Sequence, residues 1–160
     1  MRVGIGYDIH ALKKGRPFVL GGVTIPFSKG PLGHSDGDVL FHAVVDAVLG
    51  ALGEGDIGDH FSDRDPKFRN VNSAFFVKKV CEMLKRRHLK IENMDTTVIA
   101  EKPRLAEFKA AIRKSVARAF GVAPARVNVK AKTHEGFDAL GKNQAVACLA
   151  VVVLTVFRKG

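Results

Sequence analysis

The sequence has no tryptophan, one tyrosine and two cysteines in 160 residues. Two cysteines do not make the disulfide framework of a small secreted domain, and neither has metal-ligand spacing. We expect Cys81 and Cys148 to be buried free thiols in a reducing compartment, which favours a cytoplasmic location. The scarcity of tryptophan and tyrosine, with no RNP-like or KH-like string of exposed stacking residues, disfavours an RNA-binding module.

Long hydrophobic runs are also missing. The opening MRVGIGYDIH interrupts its apolar run with Gly, Asp and His, so it does not predict a secretory signal. The apolar stretch at 145–157 is shorter than the roughly 20 residues that a membrane-spanning helix needs. Because this stretch is rich in valine, it predicts a buried strand, and we expect no membrane segment.

Acidic residues are fewer than basic ones, at 16 against 26, which gives a formal net charge of +10. Such an excess favours anionic partners, among them phosphorylated metabolites, nucleic acid and acidic membrane surfaces. The competing interpretation is a solvated basic surface. Much of the excess supports it, because the charges at 78–90 and 108–120 are interleaved with apolar residues at helical spacing.

Strand-like and helix-like segments alternate along the chain. We predict an α/β two-layer sandwich, in which helices cover one face of a mixed sheet, and a single domain over 1–160. The predicted strands are 2–10, a hairpin over 16–27, 93–100, 126–133 and 145–157; the predicted helices are 39–52, 72–88 and one from about Pro103 to Phe120. Ser35, Asp36 or Asp38 would cap the first helix. The segments 28–38, 53–70 and 134–143 are predicted to be loops.

Polar residues that a packed core would not contain occur in three places, at 6–10, 33–46 and 55–66. Residues two apart on a strand share a face, which places Asp8 beside His10, and residues four apart on a helix do so too, as in Asp38, His42 and Asp46. Asp8, His10 and His42 would make a three-ligand zinc site with an open fourth position. The simpler alternative is a polar pair at a strand end and a packed histidine. The acids between Asp56 and Asp65 could bind a hard cation or could simply form turns.

Several longer strings occur together and in a fixed order. They are GYDIH (6–10), LGGVTIPF (20–27), GPLGHSDGDVLFHAVVDAVLGAL (30–52), GDIGDHFSDRDPKFRN (55–70), IAEKPRL (99–105) and VNVKAKTHE (127–135). In these strings the chain resembles the 2-C-methyl-D-erythritol 2,4-cyclodiphosphate synthase family over essentially its whole length. The most specific part is HSDGD, followed by His42 and then by GDIG.

The resemblance implies a reaction in the non-mevalonate route to isoprenoid precursors. In 4-diphosphocytidyl-2-C-methyl-D-erythritol 2-phosphate, the 2-phosphate attacks the β-phosphorus, CMP leaves and a cyclic diphosphate forms. Such an intramolecular transfer requires mainly orientation and neutralisation of phosphate charge. The resemblance also implies a homotrimer with its sheets facing the central axis and active sites between subunits. Neither nucleic acid nor membrane is an expected partner.

The family pattern also assigns roles to individual residues. It implies that Asp8, His10 and His42 hold one Zn²⁺ per subunit and that Glu135 helps to hold a second cation, Mg²⁺ or Mn²⁺. His34 and Thr133 match positions that stabilise the transition state. Asp46 would orient a ligand histidine without binding the metal itself. The alternative is that Asp46 is an ordinary helix carboxylate.

The substrate-binding residues implied by the resemblance form two groups. The phosphate and methylerythritol group comprises Asp8, Ile9, His10, His34, Ser35, Asp56, Ile57, Gly58, Phe61, Ser62, Asp63, Arg64, Asp65 and Lys142. The cytidine group comprises Ala100, Glu101, Lys102, Pro103, Arg104, Leu105, Ala106, Lys132, Thr133, His134 and Glu135.

The chain departs from the family pattern after Glu135. Ala139 replaces an aromatic residue and Lys142 replaces an arginine, at positions that in the family contact phosphate and line the trimer cavity. Lysine keeps the charge but lacks the bidentate fork, so phosphate contact is expected in a different geometry. Lys132 and His134 stand where threonines are usual. The alternative function is a metal-dependent phosphohydrolase of a nucleotide-linked metabolite, in which the same ligands would activate water.

Overall fold

The computed structural model describes residues 1–33, 35–62, 65–68 and 71–157. The strands are β1 (Arg2–Lys14), β2 (Phe18–Leu20), β3 (Val23–Ile25), β4 (Lys29–Pro31), β5 (Leu89–Ile99), β6 (Val127–Lys132) and β7 (Ala145–Val156). The helices are α1 (Val39–Leu52), α2 (Ile57–His60), α3 (Ala74–Arg86), α4 (Lys109–Phe120) and α5 (Asp138–Gly141), with 3₁₀ turns at Pro66–Phe68 and Pro124–Arg126. The predicted α/β fold, a mixed sheet with helices, is confirmed.

The main sheet has the strand order β4-β1-β7-β5-β6, and β2 pairs with β3 in a separate hairpin. Strand β7 is antiparallel to both β1 and β5, whereas β5 and β6 are parallel. Strands β1, β5 and β6 therefore run in the same direction. Their carboxyl ends lie at the same end of the sheet, where both candidate binding regions are found.

Helices α1, α3 and α4 cover one face of this sheet, whereas the short helix α5 packs Leu140 against Ala145 and Ala147 on the other face. On β7, Val146, Cys148, Ala150, Val152 and Leu154 are completely buried, as period-two alternation requires for the face that packs on helices. The opposite face carries apolar side chains that the same chain does not cover. Val3 and Ile5 are 63% and 66% exposed there.

Helix α1 packs unusually close to β1 because two glycines of β1 face it. A Cβ at Gly4 would lie 1.9 Å from the carbonyl oxygen of Ala47, and one at Gly6 would lie 2.0 Å from that of Ala43. Only the absence of a side chain at these two positions permits the contact. This packing brings the first turns of α1 against the second half of β1, where Asp8 and His10 lie.

The start of α1 is fixed by Asp38, one of the three predicted caps. Its buried carboxylate accepts the N–H groups of Leu40 and Phe41 at 3.2 and 3.1 Å. It also accepts those of Gly21 and Gly22 at 2.8 and 2.7 Å, in the turn between β2 and β3. One side chain thus caps the helix and attaches the hairpin to it.

Four local predictions were wrong. The segment 53–70 contains α2 because Asp56 and Asp59 form a reciprocal capping box, with N–H to carboxylate distances of 3.0 and 3.2 Å. The segments predicted as loops at 28–38 and 134–143 contain β4 and α5. Helix α4 begins at Lys109 rather than near Pro103, since its first turn closes on the carbonyl of Leu105, which accepts N–H groups from residues 108 and 109.

Candidate metal and nucleotide sites

Asp8, His10 and His42 direct their side chains to one point. The two β1 residues share the helix-covered face of the sheet, and His42 lies on α1 one turn after its cap. Oδ2 of Asp8 lies 3.0 Å from Nε2 of His10 and 2.9 Å from Nδ1 of His42, and the two nitrogens are 3.3 Å apart. Among the described residues, this is the only group of three or more acids, histidines or cysteines arranged to hold a metal.

The size of this triangle fits a tetrahedral zinc ion. Zinc binds imidazole nitrogen and carboxylate oxygen at about 2.0–2.1 Å, so ligand atoms at two corners of the tetrahedron are about 3.3 Å apart. The three distances between ligand atoms come close to that value. The three side chains also line a cavity, which leaves room for an exogenous ligand.

A hydrogen bond at the second ring nitrogen of His10 also supports a metal site. Its Nδ1 lies 2.8 Å from the carbonyl oxygen of Leu32, which can only accept, so the proton of the neutral ring resides on Nδ1. The Nε2 lone pair of His10 consequently points at the carboxylate of Asp8. Two acceptors that converge in this way need a cation between them, either a metal ion or a second ring proton that makes His10 a donor to Asp8.

The pKa values of the two β1 residues show the same attraction for a cation. Burial by itself raises the pKa of Asp8, but hydrogen bonds from His10 and His42 outweigh it and hold the pKa well below its usual value. For His10, burial lowers the pKa, yet the hydrogen bond and charge of Asp8 outweigh this and raise it. Asp8 is therefore a carboxylate at neutral pH, and a metal bound here competes with protons for the histidines.

A cavity of about 370 Å³ opens beside the triad. Predicted residues that line it are Asp8, His10, Ser35, Ile57, Gly58, Phe61 and Ser62. Sequence reasoning missed Phe68 and Phe76, whose rings complete an apolar wall together with Phe61. The ring of Phe76 also contacts that of His42, with centroids 5.8 Å apart. Apolar periodicity marks Phe76 as a core residue of α3 and carries no signal that it faces a binding cavity.

A second cavity of about 290 Å³ lies beyond the carboxyl ends of β5 and β6. Most of the predicted cytidine residues line it, namely Ala100, Glu101, Pro103, Arg104, Leu105, Ala106, Lys132 and Thr133, together with Lys109 and Ala131, which were not predicted. Lys102, His134 and Glu135 are not part of its lining. Nδ1 of His134 lies 3.0 Å from a carboxylate oxygen of Asp138, and Thr133 donates its hydroxyl proton to Glu135 at 2.7 Å.

The two cavities are separate within one chain. Asp8 pairs with Cys148, Cys148 with Val98, and Val98 with Ala131, so the metal ligand and the wall of the second cavity stand in one row across the sheet. Three strand spacings separate them, which is about 14 Å. Glu135 does not belong to the metal-ligand cluster of the same chain.

The remaining predicted residues have varied environments. The side chain of Ile9 lies on the sheet face opposite to Asp8 and His10, and that of Lys142 is exposed after α5. Asp46 accepts the N–H of Ile57 at 3.1 Å, and no hydrogen bond described here joins it to His42. Asp65 pairs with Lys67. His34, Asp63 and Arg64 lie outside the described residues.

No helix in the described parts of the chain is both long and apolar enough to cross a membrane. Cys81 and Cys148 are free thiols, as predicted, but only Cys148 is buried, whereas Cys81 is half-buried.

Comparison with known proteins agrees with the geometry. The model of the YgbB family matches residues 1–155. A 2-C-methyl-D-erythritol 2,4-cyclodiphosphate synthase of Desulfosudis oleivorans is 51% identical over 154 residues, which cover 96% of this chain and 92% of that protein. The enzyme of the same description from Gloeobacter violaceus is 49% identical, over 96% of this chain and 94% of its own.

Solved structures show the same fold. A complex of IspF from Plasmodium falciparum with CDP has a TM-score of 0.87 and 36% identity, and the match covers 98% of this chain and 97% of that one. The bifunctional IspDF of Campylobacter jejuni has a TM-score of 0.93 and 38% identity over 98% of this chain, which spans only 42% of that longer protein.

Proposed function

Since the chain belongs to the YgbB family, we propose that it converts 4-diphosphocytidyl-2-C-methyl-D-erythritol 2-phosphate to 2-C-methyl-D-erythritol 2,4-cyclodiphosphate with release of CMP. The observation that carries the proposal is the convergence of Asp8, His10 and His42 beside an apolar cavity. Residues 1–160 form one cyclodiphosphate synthase domain that acts in isoprenoid precursor synthesis. The free thiols support a cytoplasmic location.

The metal ligands would be Asp8, His10 and His42, with one Zn²⁺ per subunit. Two imidazoles and a carboxylate suit zinc and leave one coordination position for substrate. When bound, the ion supplies a Lewis acid for a phosphate oxygen. Glu135 would help to hold a second cation, Mg²⁺ or Mn²⁺, at the diphosphate; its exposed carboxylate after β6 is free of the zinc cluster and suits a hard cation.

The chain's own residues would orient the nucleophile. Ile57, Phe61, Phe68 and Phe76 give the first cavity an apolar wall that fits the carbon skeleton of methylerythritol. Confinement of the 2-phosphate against the β-phosphorus replaces an encounter in solution and lowers the entropic part of the barrier. His34 and the hydroxyl of Thr133 would stabilise the charge of the transferring phosphoryl group.

The second cavity would bind the cytidine group. The described complex of a related protein contains CDP, and the cavity here is lined by residues 100, 101 and 103–106 and by Lys132 and Thr133. Lys132 and Lys142 add positive charge for the diphosphate, which suits the basic character of the chain.

We propose a homotrimer whose active sites lie between neighbouring subunits. The zinc ligands and the nucleotide cavity stand about 14 Å apart in one chain, so a neighbouring copy is needed to place one beside the other. The exposed apolar side chains of Val3, Ile5 and Tyr7 support an assembly in which the sheets face a central axis.

Phosphorus NMR tests the proposed reaction. The purified protein, with zinc and magnesium, is incubated with the diphosphocytidyl substrate, and the expected products are CMP and the cyclic diphosphate without inorganic phosphate. Release of inorganic phosphate would instead favour the phosphohydrolase. A zinc-loaded trimer that forms neither product would refute the proposal.

His42→Ala serves as the matching variant. It is expected to lose bound zinc and activity together while it stays assembled, because His42 supplies one of three ligands. Stoichiometric zinc retained in this variant would remove His42 from the ligand set.

A further inference from the structure

Ser73 stands at the amino end of α3 but does not cap it. Serine at this position ordinarily accepts an N–H of the first turn through its hydroxyl oxygen. Here Ser73 makes no such hydrogen bond, and the preceding Asn72 accepts the N–H of Ala74 at 2.8 Å instead. The hydroxyl of Ser73, completely buried, is therefore used elsewhere.

The hydroxyl of Ser73 lies between a predicted zinc ligand and a carboxylate. Its Oγ is 2.8 Å from Nε2 of His42 and makes a short hydrogen bond to Oδ1 of Asp36. The second carboxylate oxygen of Asp36 accepts the backbone N–H of Ser73 at 3.1 Å. The carboxylate of Asp36 thus binds both the backbone N–H and the hydroxyl group of Ser73.

The chemistry of these three groups fixes the direction of each hydrogen bond. An ionised carboxylate only accepts, so the proton of the Ser73 hydroxyl points to Asp36. The Ser73 oxygen must then accept from His42, which places the ring proton of His42 on Nε2. The lone pair of Nδ1 is left pointing at Asp8 and His10.

We propose that Ser73 and Asp36 are positioning residues that set the tautomer and the ring orientation of His42 for metal binding. This inference rests on the zinc site of the proposed function. Ser35 is a weaker candidate for this role, because its hydroxyl oxygen lies 3.2 Å from Nε2 of His42 and already accepts the N–H of Gly37. Asp46, expected from sequence to do this, accepts from Ile57. Partners of ligand histidines generally tune metal affinity in this way.

Zinc competition with a chromophoric chelator tests whether the hydrogen bonds that link His42, Ser73 and Asp36 support metal binding. Ser73→Ala is expected to bind zinc about 10 to 100-fold more weakly than the wild type, the range for loss of a partner behind a ligand histidine. Its cobalt-loaded form should also show an altered d–d spectrum. Asp36→Asn should weaken zinc in the same range, and the double variant should be no weaker than the weaker single variant, because both residues act through one hydrogen bond to His42.

Asn72→Ala is the matched control, because it removes the side chain that caps α3 and leaves the contact with His42 in place. It should lower the urea midpoint while zinc affinity stays within about twofold of wild type. Equal losses of zinc affinity in Asn72→Ala and Ser73→Ala would mean that only helix stability matters, and would overturn the proposal. Wild-type affinity and an unchanged cobalt spectrum in Ser73→Ala would also overturn it.

A measurement on the unmodified zinc protein covers the case in which Ser73→Ala does not fold. Long-range ¹H–¹⁵N NMR of the imidazoles should show His42 protonated at Nε2 and metal-bound at Nδ1. The reverse assignment would refute the proposed role of Ser73 and Asp36. Failure of the zinc site itself is recognised separately, by a wild type that binds no stoichiometric zinc.

Discussion

Single residues decide whether α1 can place His42 beside the β1 ligands. Gly4 and Gly6 are the positions where backbone of α1 touches backbone of β1, and neither has a positive φ. Their role is therefore to admit the helix and not to form a turn. The string GIGYDIH combines this close contact with two proposed metal ligands on the same face of the strand.

Gly6→Ala should damage both stability and zinc binding. The new Cβ would lie 2.0 Å from the carbonyl oxygen of Ala43, so α1 must move away from β1 and take His42 with it. We expect the free energy of unfolding to fall by about 1–3 kcal/mol, the usual cost of overpacking a core. Urea unfolding and zinc titration measure the two effects.

Gly50→Ala, also on α1, is the control for that experiment. Its Cβ would meet its nearest atom, the carbonyl oxygen of Ile5, at 3.7 Å, which is an ordinary contact. Alanine is about 1 kcal/mol more favourable than glycine inside a helix, so this variant should be as stable as the wild type or more so. A Gly6→Ala protein as stable as Gly50→Ala would contradict the packing argument.

The cysteines should be unreactive in the folded protein. Burial raises the pKa of Cys81 from its ordinary value of 9.0 to about 11, and burial likewise raises that of Cys148. The thiolate is the nucleophile, so at pH 8 a shift of two pH units lowers its population about 100-fold. Iodoacetamide labelling followed by mass spectrometry should modify both residues rapidly in urea only. Equally fast labelling of Cys81 in the native protein would contradict this expectation.

At the scale of elements, the hairpin β2–β3 and helix α1 are stabilised as one unit by Asp38. Its two carboxylate oxygens accept four backbone N–H groups. These N–H groups lie in the first turn of α1 and in the β2–β3 turn, where regular helix or sheet hydrogen bonding does not supply an acceptor. The loop that bears Ser35 and Asp36 ends at this residue. The cap therefore also helps to fix the position of the metal-binding region.

Asp38→Asn should destabilise the protein by about 1–3 kcal/mol, the cost of leaving a buried N–H without an acceptor. Asparagine has one carbonyl oxygen, and its amide would face an N–H donor in place of the second oxygen. Urea unfolding at constant pH measures the loss. Asp59→Asn, at the exposed capping-box partner of Asp56 on α2, should cost less than about 1 kcal/mol, and equal losses in the two variants would show that burial of Asp38 is unimportant.

At the scale of the whole molecule, the uncovered sheet face and the separated cavities point to the same assembly. The apolar face carries Val3, Ile5, Tyr7 and Leu149, each at least 41% exposed. A face of this kind is unfavourable in water unless a partner covers it. The proposed trimer covers it and brings nucleotide and metal sites of different subunits together.

Ile5→Glu should therefore separate the subunits. The glutamate would introduce charge into the proposed interface, whereas in an isolated chain it would be solvated at a position that is 66% exposed. Light scattering after size exclusion should show a folded monomer without cyclase activity. Ala111→Glu, on the exposed side of α4, should remain trimeric and active. An Ile5→Glu trimer with normal activity would place the interface elsewhere.

What the sequence could determine was local or carried by long motifs. Strand alternation placed Asp8 and His10 on one face, helical spacing predicted α1, and Asp38 was among three expected caps. The ordered strings identified the family, and most of the predicted residues do line the two cavities. The predictions of strand face, helix and family were confirmed because they depend on neighbours a few positions away or on a pattern of residues read directly from the chain.

Only the tertiary structure decided which distant groups meet. His42 reaches Asp8 across 34 positions because glycines let α1 touch β1, and Ser73 reaches His42 across 31 because α3 begins beside that helix. No periodicity in the sequence distinguishes Ser73 from an ordinary cap or Phe76 from an ordinary core residue. Their roles arise from the packing of whole elements, where contacts between remote positions are set by shape and burial rather than by neighbours in the chain.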